Sequence, residues 1–360
     1  MIGPLEIAVV NLAIFFGHYI IIATSLNFQY GNAGIPNMST NISVACGAYV
    51  VSSVVLRICM WIGALAGFSL RPNWVWDNPY NVKMINSLLE SSPMLGLSLF
   101  LLSIALALLF GSILGWGLSL ISGRLRTTQL MILLFIVPEA ASLIVANNSV
   151  IAGGAQGAFI PNFLTWYQGE QVLIVAVVTL SVGFLCYFVI RNMMNSPFGR
   201  LIRATRENEL TVACVGKNTA AIRRNVMIFG SGMMSVTGVL LSIYFSFVQY
   251  QFYSRVDYTI WPWLMVTIGG LGNNAGAFIG VLVCVGILRS IASLQGLILL
   301  VAMTTNLTSI LPHLENMLLG ALLLLFFALR PRGFVPEKLL RIPGIDYRGI
   351  IKGEEDRPSE

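Results

Sequence analysis

Charge is what this chain has least of. Only 10% of its 360 residues are Asp, Glu, Lys or Arg, against roughly 25% in an ordinary soluble domain. A soluble protein must cover itself with polar side chains, and a chain that is 56% hydrophobic with a mean hydropathy of +0.81 cannot. Histidine is almost absent as well: His18 and His313 are too few and too far apart for a metal centre, and His18, inside the first apolar run, reads as a packed side chain. The five cysteines (Cys46, Cys59, Cys186, Cys214 and Cys284) lie in apolar neighbourhoods without CxxC spacing and read as small hydrophobes. There is no GxxxxGK[ST] loop to cradle ATP, no carboxylate pair beside a histidine and no nucleophile elbow. No enzyme activity, cofactor or metal is therefore expected of the chain by itself. Its basic pI of about 9.2 is read as an asymmetry between loops rather than a nucleic-acid footprint.

Long hydrophobic runs are what the chain does have. A helix needs about 20 apolar residues to cross a bilayer core. On that scale spans are predicted near 5–27, 42–69, 94–121, 128–147, 171–191, 225–249 and 313–330. MIGPLE carries no basic n-region and the run after it is too long for a signal peptide, so it is taken as the first span. Between the last two spans, residues 259–293 hold a run too short to cross (TIWPWLMVTI), a glycine turn (GGLGNNAG) and a longer run. Residues 30–41 (YGNAGIPNMSTN) have a similar interrupted character. The fold class expected is all-α: a polytopic integral membrane protein with about 8 transmembrane helices plus broken or re-entrant segments. Backbone broken at membrane depth persists only inside protein or beside a water-filled cavity, and a pair of such breaks points to a transport path. Tight turns at the membrane surface are the other reading of both.

Basic residues set the orientation. Of the 21, only Arg71, Lys83, Arg255 and Arg289 fall in one set of loops and Arg57 in a predicted span; the rest lie in the loops at 124–126, 191–224 and 330–360. The N-terminus is accordingly expected outside and the C-terminus in the cytoplasm. Trp74, Trp76, Tyr80, Tyr250, Tyr253, Tyr258, Trp261 and Trp263 fit an interfacial aromatic belt. The loop 71–92 gets no role.

One cytoplasmic stretch breaks the avoidance of charge: NSPFGRLIRATRENELTVACVGKN, residues 195–218. Ser196-Pro197 is a helix start and Gly216 a matching stop. Arg200, Arg203 and Arg206 recur every three residues, along one face. An amphipathic helix that docks on another protein and a merely solvated basic loop fit equally well. Inside the membrane, Glu139 follows Pro138. An unpaired carboxylate there is costly, so it either lines a solute path or bonds a neighbouring helix, Arg57 being the candidate partner. Gly269, Gly270, Gly272, Gly276 and Gly280 fit a broken helix or close small-xxx-small packing.

The same residues carry a resemblance. SPFGRLIRATRENE…VGKN resembles the cytoplasmic loop of permease subunits of branched-chain amino acid (Liv-type) ABC importers. LNFQYGNAGIPNMSTNISVACGAY (26–49), GRLRTTQLMILLFIVPEAASLIVANNSVIAGGAQG (123–157), GGLGNNAGAFIG (269–280) and LRPRGF (329–334) are similar to further segments of that family, in order, over roughly residues 20–335. The resemblance implies a transmembrane permease domain at 1–335 and a cytoplasmic tail at 336–360. It implies work beside two ATP-binding cassette ATPase subunits, a second permease subunit, an extracytoplasmic solute-binding protein and membrane lipid, with no nucleic acid. Glu209–Gly216 becomes the coupling helix, with Arg203, Arg206, Glu207, Glu209 and Gly216 as ATPase-coupling residues. Glu139, Asn32, Gln156, Gly269, Gly270 and Gly272 become candidates for the translocation path in the cell membrane. The solute class implied is branched-chain or other small amino acids, urea or short amides. The alternative kept beside this is an ion-gradient-driven secondary transporter of small polar solutes, needing no partner.

Overall fold

The computed structural model of the chain describes residues 4–122, 125, 127–167 and 169–287, together with 317, 320, 321, 324, 328, 333–335 and 337. Among these, six helical stretches are long and apolar enough to cross a bilayer: Ala8–Asn32, Thr40–Leu65, Pro93–Ser122, Thr127–Asn147, Gln171–Asn195 and Thr219–Phe245. A seventh candidate is a bent pair, Val256–Gly269 and Asn274–Ile287, folded by 118° at its break. The expected all-α membrane architecture is what forms. The count of about eight is not reached by the described residues, and the predicted span at 313–330 lies almost wholly outside them.

The first crossing is α1 (Pro4–Leu26), which widens into a π-helical turn over Asn27–Asn32. The second comprises α2 (Thr40–Val50), a second π turn at Val51–Val55 and α3 (Leu56–Leu65). After α4 (Asn78–Ser91) come α5 (Pro93–Ser122), α6 (Thr127–Asn147) and α7 (Gln171–Asn195). Two short helices follow, α8 (Pro197–Glu207) and α9 (Glu209–Cys214), then α10 (Thr219–Phe245) and, after a π turn at Val256–Ile260, α11 (Trp261–Gly269).

The helix α10 is the axis of the bundle, with 89% of its apolar window buried against 22% for α6. Its run SGMMSVTG (231–238) explains why. Lipid tails are as apolar as leucine, so helices in a bilayer associate through close packing and hydrogen bonds rather than through hydrophobic exclusion. Small residues let the backbones meet. A Cβ on Gly238 would stand 2.0 Å from the Val44 carbonyl of α2, and one on Gly47 of α2 would stand 1.8 Å from that of Ser235. On the other side a Cβ on Gly115 of α5 would meet the Met227 carbonyl at 2.5 Å. Ser235 Oγ also donates to the Ala107 carbonyl of α5 at 2.5 Å. The outer faces of α5, α6 and α7 instead expose Leu101, Ile113, Ile136, Leu143, Leu185 and Phe188, as lipid contact requires.

At the end opposite α8 and α9, hereafter the far end, the loop that had no role folds. Val82, Ile85 and Leu89, at helical spacing, bury one stripe of α4. Asn78 Nδ2 donates to the Phe159 carbonyl and its Oδ1 accepts from the Phe159 amide at 2.7 Å. This anchors β1 (Ala158–Phe159), which pairs antiparallel with β2 (Phe247–Val248). The aromatic belt is corrected in part: Trp76 is exposed, but Tyr253, Tyr258 and Trp261 are core residues, because the segment that carries them folds inward.

Candidate functional site

Two interruptions of helical backbone meet in the interior. The stretch LNFQYGN puts three amide side chains at the end of the first crossing, and all three are buried. Asn27 Oδ1 accepts the Gly272 amide at 3.0 Å, and Asn27 Nδ2 donates to Asn274 Oδ1 at 3.1 Å. The turn after α11 is thereby held by the turn after α1. Asn32 Nδ2 donates back to the Asn27 carbonyl at 3.1 Å. Gln29 reaches the Met227 carbonyl of α10 at 3.3 Å and accepts from Asn37 at 2.8 Å. Trp263 Nε1 donates to the Asn37 carbonyl at 3.0 Å, and its ring lies 4.4 Å from that of Tyr30. Thr40 Oγ1 donates to the Tyr258 carbonyl where α2 begins. Asn27, Gln29, Asn37 and Thr40 are fully buried, so each needs such a partner. Asn27 and Gln29 were not singled out from the sequence, although with Asn32 they place three amides in seven residues at the end of an apolar run, and Asn37 lay unnamed in the interrupted stretch 30–41.

The glycines of the second interruption serve both readings offered for them. Gly270 and Gly272 adopt φ of +115° and +78°, a left-handed conformation that glycine takes without strain, and so turn the chain. Gly269, Gly276 and Gly280 then press the two arms together, a Cβ on Gly280 standing 1.9 Å from the Met265 carbonyl. The last carbonyls of α11 are capped by a distant segment: the amides of Phe334 and Val335 donate to Ile268 and Gly269 at 2.9 and 3.0 Å.

The charged stretch lies over this junction, and it differs from the single helix expected. Asn208, at φ −153° and ψ 102°, ends α8 and starts α9, its side chain accepting from the Thr211 amide at 3.1 Å. An asparagine competes for the backbone in this way and is a favoured helix cap. Pro197 occupies the first turn of α8 as expected, but the Ser196 hydroxyl turns back to donate to Met193 at 2.6 Å. Gly216 ends α9 at φ +79°: its amide bonds Ala213 and that of Lys217 bonds Val212, the paired closure of a Schellman turn.

The arginines are not a stripe offered to solvent. Arg200 is exposed, but Arg203 Nη2 donates to the Met194 carbonyl of α7 at 3.1 Å. Arg206 reaches furthest in. Nη1 donates to the Gly31 carbonyl, within the turn that ends the first crossing. Nη2 meets Glu207 at 2.6 Å and Glu337 at 2.8 Å. Burial alone would lower the Arg206 pKa, but hydrogen bonds and charge from Glu207 and Glu337 outweigh it and raise it, so the side chain stays cationic. Glu209 pairs with Arg223 of α10 at 2.9 Å. Among the residues that α9 and its cap leave exposed, the large apolar ones are Leu210 and Val215, at 78% and 71%. A cavity of about 550 Å³ opens beside the junction, lined in part by Asn32, Arg191, Arg203, Gly272, Asn274 and Glu337.

Glu139 stands elsewhere, on α6, and the partner suggested for it is wrong. It accepts from Arg255 Nη2 at 2.6 Å. Arg57 instead donates to the Val150 carbonyl at 3.1 Å, its guanidinium 5.0 Å from the Trp74 ring; its long side chain carries the charge away from the helix to these partners. Gln156 occupies an exposed turn at the far end and lines neither the junction cavity nor the one beside Glu139.

Comparison with known proteins adds an independent finding. A family described as the permease component of the branched-chain amino acid transport system matches residues 8–327. A probable branched-chain amino acid transport permease protein LivM of Methanocaldococcus jannaschii is 34% identical over 92% of this chain and 94% of its own length. The high-affinity branched-chain amino acid transport system permease proteins LivM of Escherichia coli and Salmonella typhimurium are each 22% identical over 64% of this chain, which spans 56% of their length. No solved structure matches.

Proposed function

The chain belongs to the family of branched-chain amino acid transport permeases, and on that premise we propose that its own cargo is a branched-chain amino acid. It is a multi-pass membrane protein and the permease subunit of an ABC importer. Permeases of this family work with ABC ATPases and a binding protein. For this chain the arrangement proposed is two ATPases, a second permease and an extracytoplasmic binding protein, with the N-terminus outside and α8 and α9 in the cytoplasm. Transport driven by an ion gradient alone has no support from the family.

One observation carries the mechanism: Arg206 reaches from the charged stretch to the carbonyl of Gly31. In the reading proposed, the exposed Leu210 and Val215 of α9 seat in a groove of the ATPase. Closure of the ATPases on nucleotide moves α9. The Glu209–Arg223 pair passes that movement to α10, and Arg206 passes it to the junction of the two broken segments. Asn32, Gly269, Gly270 and Gly272 then belong to the inner part of the path, Glu139 to a more outward part and Gln156 to the outer mouth. Arg203 and Glu207 act within the chain, fixing α8 on α7 and holding Arg206. Glycine at 216 gives α9 a sharp end. Proteoliposomes test the reading. Leucine uptake should require the partner permease, the ATPases, ATP and the binding protein together. Full-rate accumulation in vesicles holding this chain alone would refute it.

A further inference from the structure

A second cavity, of about 510 Å³, lies between α2, α6 and the segment 250–260, within the roughly 300–1,000 Å³ of small-molecule sites. Its one ion pair is Glu139 with Arg255, at 2.6 Å. The rest of its wall is largely aromatic and aliphatic, including Ile42, Ala45, Tyr49 and Ile260. Glu139 lies eight residues before the end of α6, about 12 Å along the helix at 1.5 Å per residue. A carboxylate at that depth does not face lipid without heavy cost, yet the Glu139 side chain is 60% exposed. Its open side therefore faces water or another protein.

Arg255 is incompletely satisfied. Its Nε is buried without a hydrogen-bond partner among the described residues, and so is the Tyr253 hydroxyl on the same wall. The guanidinium is held 3.9 Å from the Phe135 ring centroid, which fixes its plane while leaving donors over. A planar guanidinium with spare N–H groups is shaped to take a carboxylate through two bonds. The carboxylate beside it suits an ammonium.

We propose that the Glu139–Arg255 pair reads the zwitterion of a passing α-amino acid, Arg255 taking the carboxylate and Glu139 the ammonium, while the apolar wall receives the side chain. The proposal rests on the reading of this chain as an amino acid importer. It deepens that reading, because urea and simple amides have neither charge and cannot open the pair. In the empty site the two side chains neutralise each other. An arriving zwitterion replaces one ion pair by two, so no charge is left unpaired in either the empty or the loaded site.

The test uses the complete importer in proteoliposomes with its binding protein, L-leucine as the probe, and uptake per ATP hydrolysed as the readout. Glu139→Gln and Arg255→Gln should each lower that ratio by about tenfold or more, the scale of a lost charge-assisted contact. Arg255→Lys should fall between them and the native protein. Because one substitution leaves a lone charge that can disturb folding, the uncharged pair Glu139→Gln with Arg255→Gln is measured as well. Assembly with the ATPases but lost uptake supports the proposal. Native uptake overturns it, and failure to assemble marks the pair as a structural tie and overturns it too. A native complex that carries urea or acetamide and not leucine would instead sink the amino acid reading itself.

Discussion

Arg206→Met should uncouple the transporter without dismantling it. The substitution keeps the apolar stem of the side chain and removes its fork. Three contacts are lost: to Gly31 O, Glu207 and Glu337. Glu207 is 70% exposed, and such pairs contribute about 0–1 kcal/mol, so that contact is neglected. Arg206 and Glu337 are 23% and 30% exposed, which places this pair near the top of that range, at about 1 kcal/mol. A hydrogen bond from a charged donor to a carbonyl contributes about 1.5–3 kcal/mol. The links from α8 to the first broken segment, through Gly31, and to the segment of Glu337 then sum to about 2.5–4 kcal/mol, or roughly 70- to 900-fold in an equilibrium. Because α9 and its apolar face do not depend on them, ATPase binding and hydrolysis should persist. Leucine taken up per ATP hydrolysed should fall by an order of magnitude or more, with Arg206→Lys intermediate since a point charge cannot reproduce the fork. The assay is paired measurement of uptake and phosphate release in proteoliposomes. A ratio unchanged in Arg206→Met refutes the idea that this side chain transmits the movement.

The remaining predictions concern packing, the junction and the docking face. Gly47→Ala places a Cβ where the Ser235 carbonyl stands and should destabilise the detergent-solubilised protein by about 1–3 kcal/mol or more in thermal unfolding. Gly117→Ala, inside α5 with open space around it, should not lower the transition and can raise it by up to about 1 kcal/mol. Asn27→Ala strands the Gly272 amide and should cost about 1–3 kcal/mol, read as a lower melting temperature together with reduced transport; an unaltered melt would mean that the two broken segments do not depend on each other. Leu210→Asp with Val215→Asp should leave the chain's own melt intact, both side chains being exposed, yet abolish co-purification with the ATPases.

The crossings were legible in the sequence because a bilayer imposes length and apolarity on each helix by itself, with no knowledge of its neighbours. The ends of the charged stretch were legible for a similar reason: Pro197 and Gly216 act through local backbone geometry. Asn208 was missed, though it too is a local signal, because the regular spacing of Arg200, Arg203 and Arg206 suggested one uninterrupted helix. Arg203 and Arg206, expected to serve ATPase coupling, also donate within the chain, to Met194 and Gly31. Nothing local says which way a long side chain will reach. The partner of Glu139 was out of reach for another reason. Arg255 is 116 residues away, and only the packing of its segment against α6 brings them together. Tyr253, Tyr258 and Trp261 show the limit of composition: an aromatic cluster near a span end looks the same whether it meets headgroups or turns into the core.

The caps on α11 carry a consequence for biogenesis. Among the described residues, the carbonyls of Ile268 and Gly269 find donors at Phe334 and Val335. During synthesis the bent pair emerges well before those donors exist. Until Phe334 and Val335 are in place, the tip of the bent pair must borrow water or stay outside the bilayer. A segment through which solute is proposed to pass thus waits on these late residues, and a chain terminated before them would contain the six long crossings described above yet leave that tip unfinished.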